Sequence, residues 1–226
     1  MTTELMLTVD PHTTVSALWL QPPRSRCIYV FAHGAGAGMR HGFMEALAQA
    51  LAGQGVATLR YQFPYMERGS KRPDTPAVAQ VAVRAAVAAA RERLPDVPLF
   101  AGGKSFGGRM TSQAQAREPM PGVRGLVFVG FPLHPAGKPG TDRAAHLADV
   151  RVPMLFLQGT RDELAELALL RGVVQGLGDI ATLYLEDDAD HAFHVRVRSG
   201  RNDAQVMQAL ADAMVEWCKA QPGPAP

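Results

Sequence analysis

The chain has 226 residues, of which 47% are hydrophobic and 19% charged, enough for one large domain with a core that needs no covalent staples. Its formal net charge is only +2, and its Lys and Arg residues are scattered; this gives no electrostatic case for nucleic acid as a partner. Two cysteines, Cys27 and Cys218, make neither a disulfide framework nor a metal cluster. No apolar run is long enough to span a bilayer, and the N-terminus lacks the pattern of a signal peptide. The expectation is a cytoplasmic protein without metal, membrane or nucleic-acid association.

In chain order, short β-like runs alternate with longer helical ones. Val15 to Leu20 and Cys27 to Ala32 read as strands, followed by a helix over Phe43 to Ala52 and a strand over Val56 to Arg60. The polar stretch Phe63 to Thr75 carries Arg68, Lys71 and Arg72, and reads as a long functional loop with a solvated basic face, or else as a linker. A helix spans Ala77 to Leu94, a strand Leu99 to Gly102, and a further helix starts at Phe106. Strands follow over Val123 to Val129, Val152 to Leu157 and Ala181 to Leu185, with a helix from about Glu163 to Leu177 between the last two. The final helix covers Asp203 to Lys219, where Val206, Leu210, Met214 and Trp217 form one stripe, and Asn202 with Gln205 resembles a capping box.

Several of the strand runs are continuously apolar, such as Ile28-Tyr29-Val30-Phe31 and Met154-Leu155-Phe156-Leu157. Strands covered by helices on both faces need that composition. The pattern predicts an α/β fold with a mostly parallel central sheet, as a single domain over residues 1–220 and a disordered tail over 221–226.

One segment carries chemistry. Gly103-Lys104-Ser105-Phe106-Gly107 matches G-x-S-x-G, with a predicted strand before it and a predicted helix after it. That context is a nucleophile elbow: a tight turn that holds a serine in a strained, exposed position. The flanking glycines would avoid collisions with the neighbouring strand and helix. Alternatively, the segment is a glycine-rich turn whose serine caps the helix.

A serine hydroxyl needs a base to take its proton and an acid to orient that base. In an elbow-type fold the order is Ser, then Asp or Glu, then His. Asp162 follows the strand that ends near Leu157; its competing readings are a helix cap, or Glu163 as the acid instead. His191 follows the next strand, with His194 as a rival. The neighbouring Asp187, Asp188 and Asp190 read as a solvated acidic turn rather than a metal site. His33-Gly34-Ala35-Gly36-Ala37-Gly38, directly after a strand, occupies the place of an oxyanion loop. The predicted oxyanion donors are the backbone amides of Ala35 and Phe106. A phosphate loop is disfavoured because no Gly-Lys-Ser/Thr follows.

Further blocks accompany these: Phe63-Pro64-Tyr65-Met66-Glu67, Phe131-Pro132-Leu133-His134-Pro135, Leu157-Gln158-Gly159-Thr160-Arg161-Asp162 and Asp190-His191-Ala192-Phe193. Together with Gly102 to Arg109 and the His33 loop, they resemble a small family of α/β-hydrolases distantly similar to dienelactone hydrolases. That family includes the hydrolase-like domain of NSL complex subunit 3. The resemblance covers residues 5–219. It implies the α/β-hydrolase fold and supports Ser105, Asp162 and His191 as the triad, favouring His191 over His194. Dienelactone hydrolases carry Cys at the elbow where this chain has Ser105, so the dienelactone reaction itself is not implied.

The expectation is a serine hydrolase acting on a small-molecule acyl substrate, with no cofactor. Phe63, Tyr65, Met66, Phe131 and Leu133 follow strands and are expected to line the pocket mouth. The gap from Phe131 to Arg151 is too short for a large lid domain. The other readings are a non-catalytic interaction module on a hydrolase fold, and an acyltransferase that delivers the acyl group to an acceptor other than water.

Overall fold

The computed structural model describes residues 2–221. Residues 222–226, most of the tail expected to be disordered, lie outside the described residues. One eight-stranded sheet has the order β1-β2-β4-β3-β5-β6-β7-β8. Its strands are β1 (Thr2–Asp10), β2 (Thr13–Leu20), β3 (Cys27–Ala32), β4 (Val56–Tyr61), β5 (Leu99–Lys104), β6 (Val123–Val129), β7 (Met154–Gly159) and β8 (Ala181–Glu186). β1 and β2 pair antiparallel, as do β2 and β4; every other neighbouring pair is parallel.

The helices are α1 (Gly42–Gly53), α2 (Pro64–Glu67), α3 (Pro76–Arg93), α4 (Phe106–Arg117), α5 (Leu167–Leu177) and α6 (Asp203–Ala220). They cover both faces of the sheet, and the alternation within β3 shows how. Ile28, Val30 and Ala32 pack into a core with residues of α3, α4 and α5. Cys27, Tyr29 and Phe31 pack into a second core with Met44, Leu47 and Leu51 of α1 and Val206, Leu210 and Met214 of α6. Successive side chains of a strand point to opposite faces, so a strand covered on both sides must be apolar throughout. The capping box at Asn202 and Gln205 starts α6 as expected, with both reciprocal hydrogen bonds formed at 3.0 Å.

The departures from the sequence expectation have local causes. β1 is an additional edge strand in which Leu5, Leu7 and Val9 alternate toward the core; the apolar but 61% exposed Met6 between them blurs that period in the sequence. β7 starts at Met154 rather than Val152, because Pro153 has no N–H to give the ladder. α5 starts at Leu167 rather than Glu163, because the backbone ahead of it is held as a turn. There the Leu164 N–H donates to Asp162 Oδ1 at 2.8 Å and the Glu166 N–H to His134 Nε2 at 2.8 Å. The expected loop over Phe63 to Thr75 contains α2, which Pro64 opens at a first-turn position that suits proline. Asp74 anchors it by accepting the Tyr65 N–H at 2.7 Å and pairing with Arg68 at 2.6 Å. No large lid is inserted between β6 and β7; a short 3-10 stretch over Asp142–Asp149 is the connection's only helical element.

Candidate active site

β5 ends at Lys104 and α4 begins at Phe106, which leaves Ser105 alone as the turn between them. Its backbone stands at φ 51°, ψ −114°, a conformation that costs a non-glycine residue free energy and is held only by its surroundings. Those surroundings are tight. A Cβ on Gly103 or on Gly107 would lie 2.5 Å from the carbonyl oxygen of Ala32 on β3. Glycine at both positions is what lets elbow, strand and helix approach this closely.

Ser105 Oγ lies 2.9 Å from His191 Nε2, and His191 Nδ1 lies 2.6 Å from Asp162 Oδ2. The Asp162 side chain is wholly buried, and that of His191 is 23% exposed. Asp162 Oδ2 also accepts a hydrogen bond from Gln158 Nε2 at 2.5 Å. With Leu164 N–H on its other oxygen, the carboxylate is hydrogen-bonded on both sides. A carboxylate held this way suits the Nδ1–H tautomer of the imidazole, leaving Nε2 free to face the hydroxyl.

His194 takes a different partner. Its Nδ1 lies 2.5 Å from Asp203 Oδ2, and both side chains are largely exposed. The acidic turn is used in its own way. Asp190 Oδ1 accepts the N–H groups of Ala192 and His194, at 2.8 and 3.0 Å, and so folds the loop that carries His191. Asp188 pairs with Arg196. Among the described residues, no three His, Cys, Asp or Glu side chains are grouped to hold a metal ion, and no helix is long and apolar enough to cross a membrane.

The glycine-rich loop after β3 faces the same spot. Ala35 and Ser105 line one cavity, and Phe106 supplies the first amide of α4. Among the described residues, neither the Ala35 N–H nor the Phe106 N–H donates to another protein group. The loop is braced from behind. Gly36 N–H donates to the Tyr65 hydroxyl at 3.0 Å, and Met39 N–H to Gln62 Oε1 at 2.9 Å. His33 Nε2 accepts the Phe63 N–H at 3.1 Å, so the ring proton sits on Nδ1 and is donated to the Gly34 carbonyl at 2.7 Å. Burial holds the His33 imidazole down to about 4 and so keeps it neutral.

The cavity has a volume of about 590 Å³, within the range of small-molecule sites. Its apolar wall comes from Phe43 and Met44 on α1, Met207 on α6, and Leu164 and Phe193. The five residues expected at the pocket mouth are not among those that line it. Phe63, Tyr65, Phe131 and Leu133 are buried in the core beneath the site, and Met66 packs against that core. Their blocks support the site instead. Phe63 and Tyr65 brace the His33 loop; the Phe131 N–H donates to Gln158 Oε1, and the His134 N–H donates to the Leu164 carbonyl beside Asp162. A loop that follows a strand turns inward when its aromatic rings find partners, and Phe63 packs edge-on against His33, Tyr61 and Phe106.

Two residues beside the site escaped sequence reasoning. Gln158 holds Asp162. Lys104, inside the elbow motif itself, places its Nζ 2.6 Å from the His191 carbonyl oxygen. The signal for Lys104 was present: a lysine ending an otherwise apolar strand calls for a specific partner.

The fold has clear counterparts among solved structures. It is similar to a dienelactone hydrolase from Anabaena variabilis, with a TM-score of 0.78 and 19% identity over 99% of each chain. A lidless α/β serine hydrolase from Xanthomonas campestris matches with a TM-score of 0.75 and 22% identity over 98% of this chain and 97% of that one. A serine hydrolase homologue from Coxiella burnetii matches with a TM-score of 0.75 and 18% identity over 95% and 96%. The family model described as an alpha/beta hydrolase domain matches residues 25–219. The chain belongs to that α/β-hydrolase family.

Proposed function

We propose that this protein is a serine hydrolase that cleaves a carboxylic ester or related small-molecule acyl substrate through an acyl-enzyme on Ser105. The observation that carries the reading is the continuous hydrogen-bonded chain from Ser105 Oγ through His191 to the buried Asp162, at 2.9 and 2.6 Å. His191 Nε2 takes the hydroxyl proton as Ser105 Oγ attacks the substrate carbonyl carbon. Asp162 stabilises the imidazolium that forms. The amides of Ala35 and Phe106 receive the oxyanion, where prepaid orientation makes hydrogen bonds most effective. His191 then gives its proton to the departing alcohol. In the second half, His191 draws a proton from water as it attacks the acyl carbon, then returns that proton to Ser105 Oγ as the acyl bond breaks and the acid is freed.

The cavity fits this chemistry. Its wall is mostly apolar, and it opens without a large lid, which suits a small or medium substrate with an uncharged apolar portion. Kinship to dienelactone-hydrolase-like esterases, and to the hydrolase-like domain of NSL complex subunit 3, belongs to the same proposal. Serine rather than cysteine at the elbow favours simple esters over dienelactones. A cytoplasmic setting suits Cys27 and Cys218, both free thiols.

A fluorophosphonate probe tests the reading. The wild-type protein should be labelled stoichiometrically and Ser105→Ala should not. Folded wild-type protein that stays unlabelled would refute it.

A further inference from the structure

Lys104 presents a physical problem. In β5, Phe100 packs into the core shared with α1 and α6. Side chains two apart share a face, so Lys104 points toward that same apolar side. A charge there is costly unless it is hydrogen-bonded. The structure meets the cost at one point: Nζ donates to the backbone carbonyl of His191 at 2.6 Å. The ammonium also stands 5.7 Å from the ring centroid of Phe43 and 5.4 Å from that of Phe193, close enough for cation–π attraction. Those two rings stack on each other at 5.8 Å. The end of β6 makes room, since a Cβ on Gly130 would lie 2.9 Å from Nζ. The charged groups that act on it are Asp162 and Asp190, and both favour the ammonium; burial outweighs them and lowers it to about 8.

Resting on the hydrolase reading above, we propose that Lys104 is a positioning residue that ties the nucleophile elbow to the histidine loop. Ser105 is its neighbour in the chain, and His191 is its hydrogen-bond partner. A closed circuit results, running from the Lys104 side chain to the His191 carbonyl, through the imidazole to Ser105 Oγ, and back along one peptide bond. The imidazole is carried on an irregular loop in which Phe193 has a positive φ of 65°. The loop is closed by the Ala189–Val195 bridge and folded within by Asp190; those bonds shape the loop but do not tie it to the elbow, and the lysine does. A misplacement of about 1 Å at such a base costs roughly 100-fold in rate. Lys104 also lines the cavity, but its ammonium is engaged by the His191 carbonyl and lies against the two rings, so its role is toward the loop rather than toward an anionic substrate.

The test uses an uncharged aryl ester and the full-length protein. Lys104→Met places an apolar chain of similar length against the two rings. It should stay folded, with an unfolding temperature at or above that of wild type. Its kcat should drop about 10- to 100-fold, with KM within about twofold, and fluorophosphonate should label Ser105 correspondingly more slowly. Lys104→Cys should be equally slow, and alkylation with bromoethylamine, which rebuilds an ammonium at that reach, should restore most of the rate. Wild type should also lose kcat as pH rises through about 8, where Lys104 gives up its charge, and Lys104→Met should lack that loss.

A folded Lys104→Met with unchanged kcat and labelling would overturn the proposal. So would a pure KM effect confined to anionic esters, which would make Lys104 a substrate-binding cation. If Lys104→Met does not fold, the alkylation experiment and the wild-type alkaline limb decide. Failure of wild type itself to label would instead overturn the hydrolase reading, and is distinguishable because it does not involve Lys104.

Discussion

Two histidines three residues apart on one loop each pair through Nδ1 with an aspartate, and the pairs differ in burial and in what lies beyond the ring. His191–Asp162 is 2.6 Å long and His194–Asp203 is 2.5 Å. In the first, the acid side chain is fully buried and the histidine 23% exposed; in the second, the exposures are 55% and 67%. The first continues to a serine hydroxyl. The second ends at Asp203, the first residue of α6, where a carboxylate suits the positive end of the helix dipole. A short His–Asp contact therefore does not mark a site by itself. Burial of the acid, and a third group aligned on the far ring nitrogen, give the first pair its chemical meaning.

The largest effect expected from this contrast is at His191. His191→Ala should lower kcat on an aryl ester by on the order of 10⁶-fold, as loss of a base that acts as a unit with its serine does. Asp162→Asn comes next, at about 10⁴-fold, because an amide favours the wrong imidazole tautomer. Stopped or steady-state assays on purified, folded variants read both. A smaller effect concerns histidines with no bonded acid at all. Burial holds His33 and His146 down to about 4 from the ordinary 6.5. The unfolded chain therefore takes up protons below pH 6.5 while the folded one resists until about pH 4, and stability falls as pH drops through that window. Urea unfolding at pH 7, 5.5 and 4.5 should show it, and His146→Gln should shrink the slope. The smallest effect is at His194. His194→Ala should leave kcat within about twofold and cost at most about 1 kcal/mol of stability, as exposed pairs do. A loss at His194 greater than at His191 would reverse the comparison.

Much of this arrangement was legible in the sequence, for a physical reason. Ser105, Asp162 and His191 each follow a strand, and strand ends on a parallel sheet converge at one edge. Chain order and strand placement therefore anticipate which residues meet. The choice between His191 and His194, however, depends on a loop folded by Asp190, which no periodicity reports. Side-chain direction was the harder part. Phe63, Tyr65, Phe131 and Leu133 follow strands just as the site residues do, yet they turn into the core. The cavity wall comes instead from the N-terminal parts of α1 and α6, where Phe43, Met44 and Met207 sit on helices whose stripes also serve the core. The edge strand β1 does alternate, through Leu5, Leu7 and Val9, but the exposed apolar Met6 among them blurs the period.

The proposed mechanism turns on a covalent acyl intermediate at Ser105. Acid quenching during turnover of a slow aryl ester, followed by tryptic peptide mass analysis, tests it most directly. Cleavage after Lys104 and Arg109 isolates the peptide Ser105-Phe106-Gly107-Gly108-Arg109. In wild type this peptide should carry the acyl mass, and the Asp162→Asn protein should accumulate it far more slowly. An ester turned over with this peptide unmodified, or with the acyl group on another residue, would contradict it.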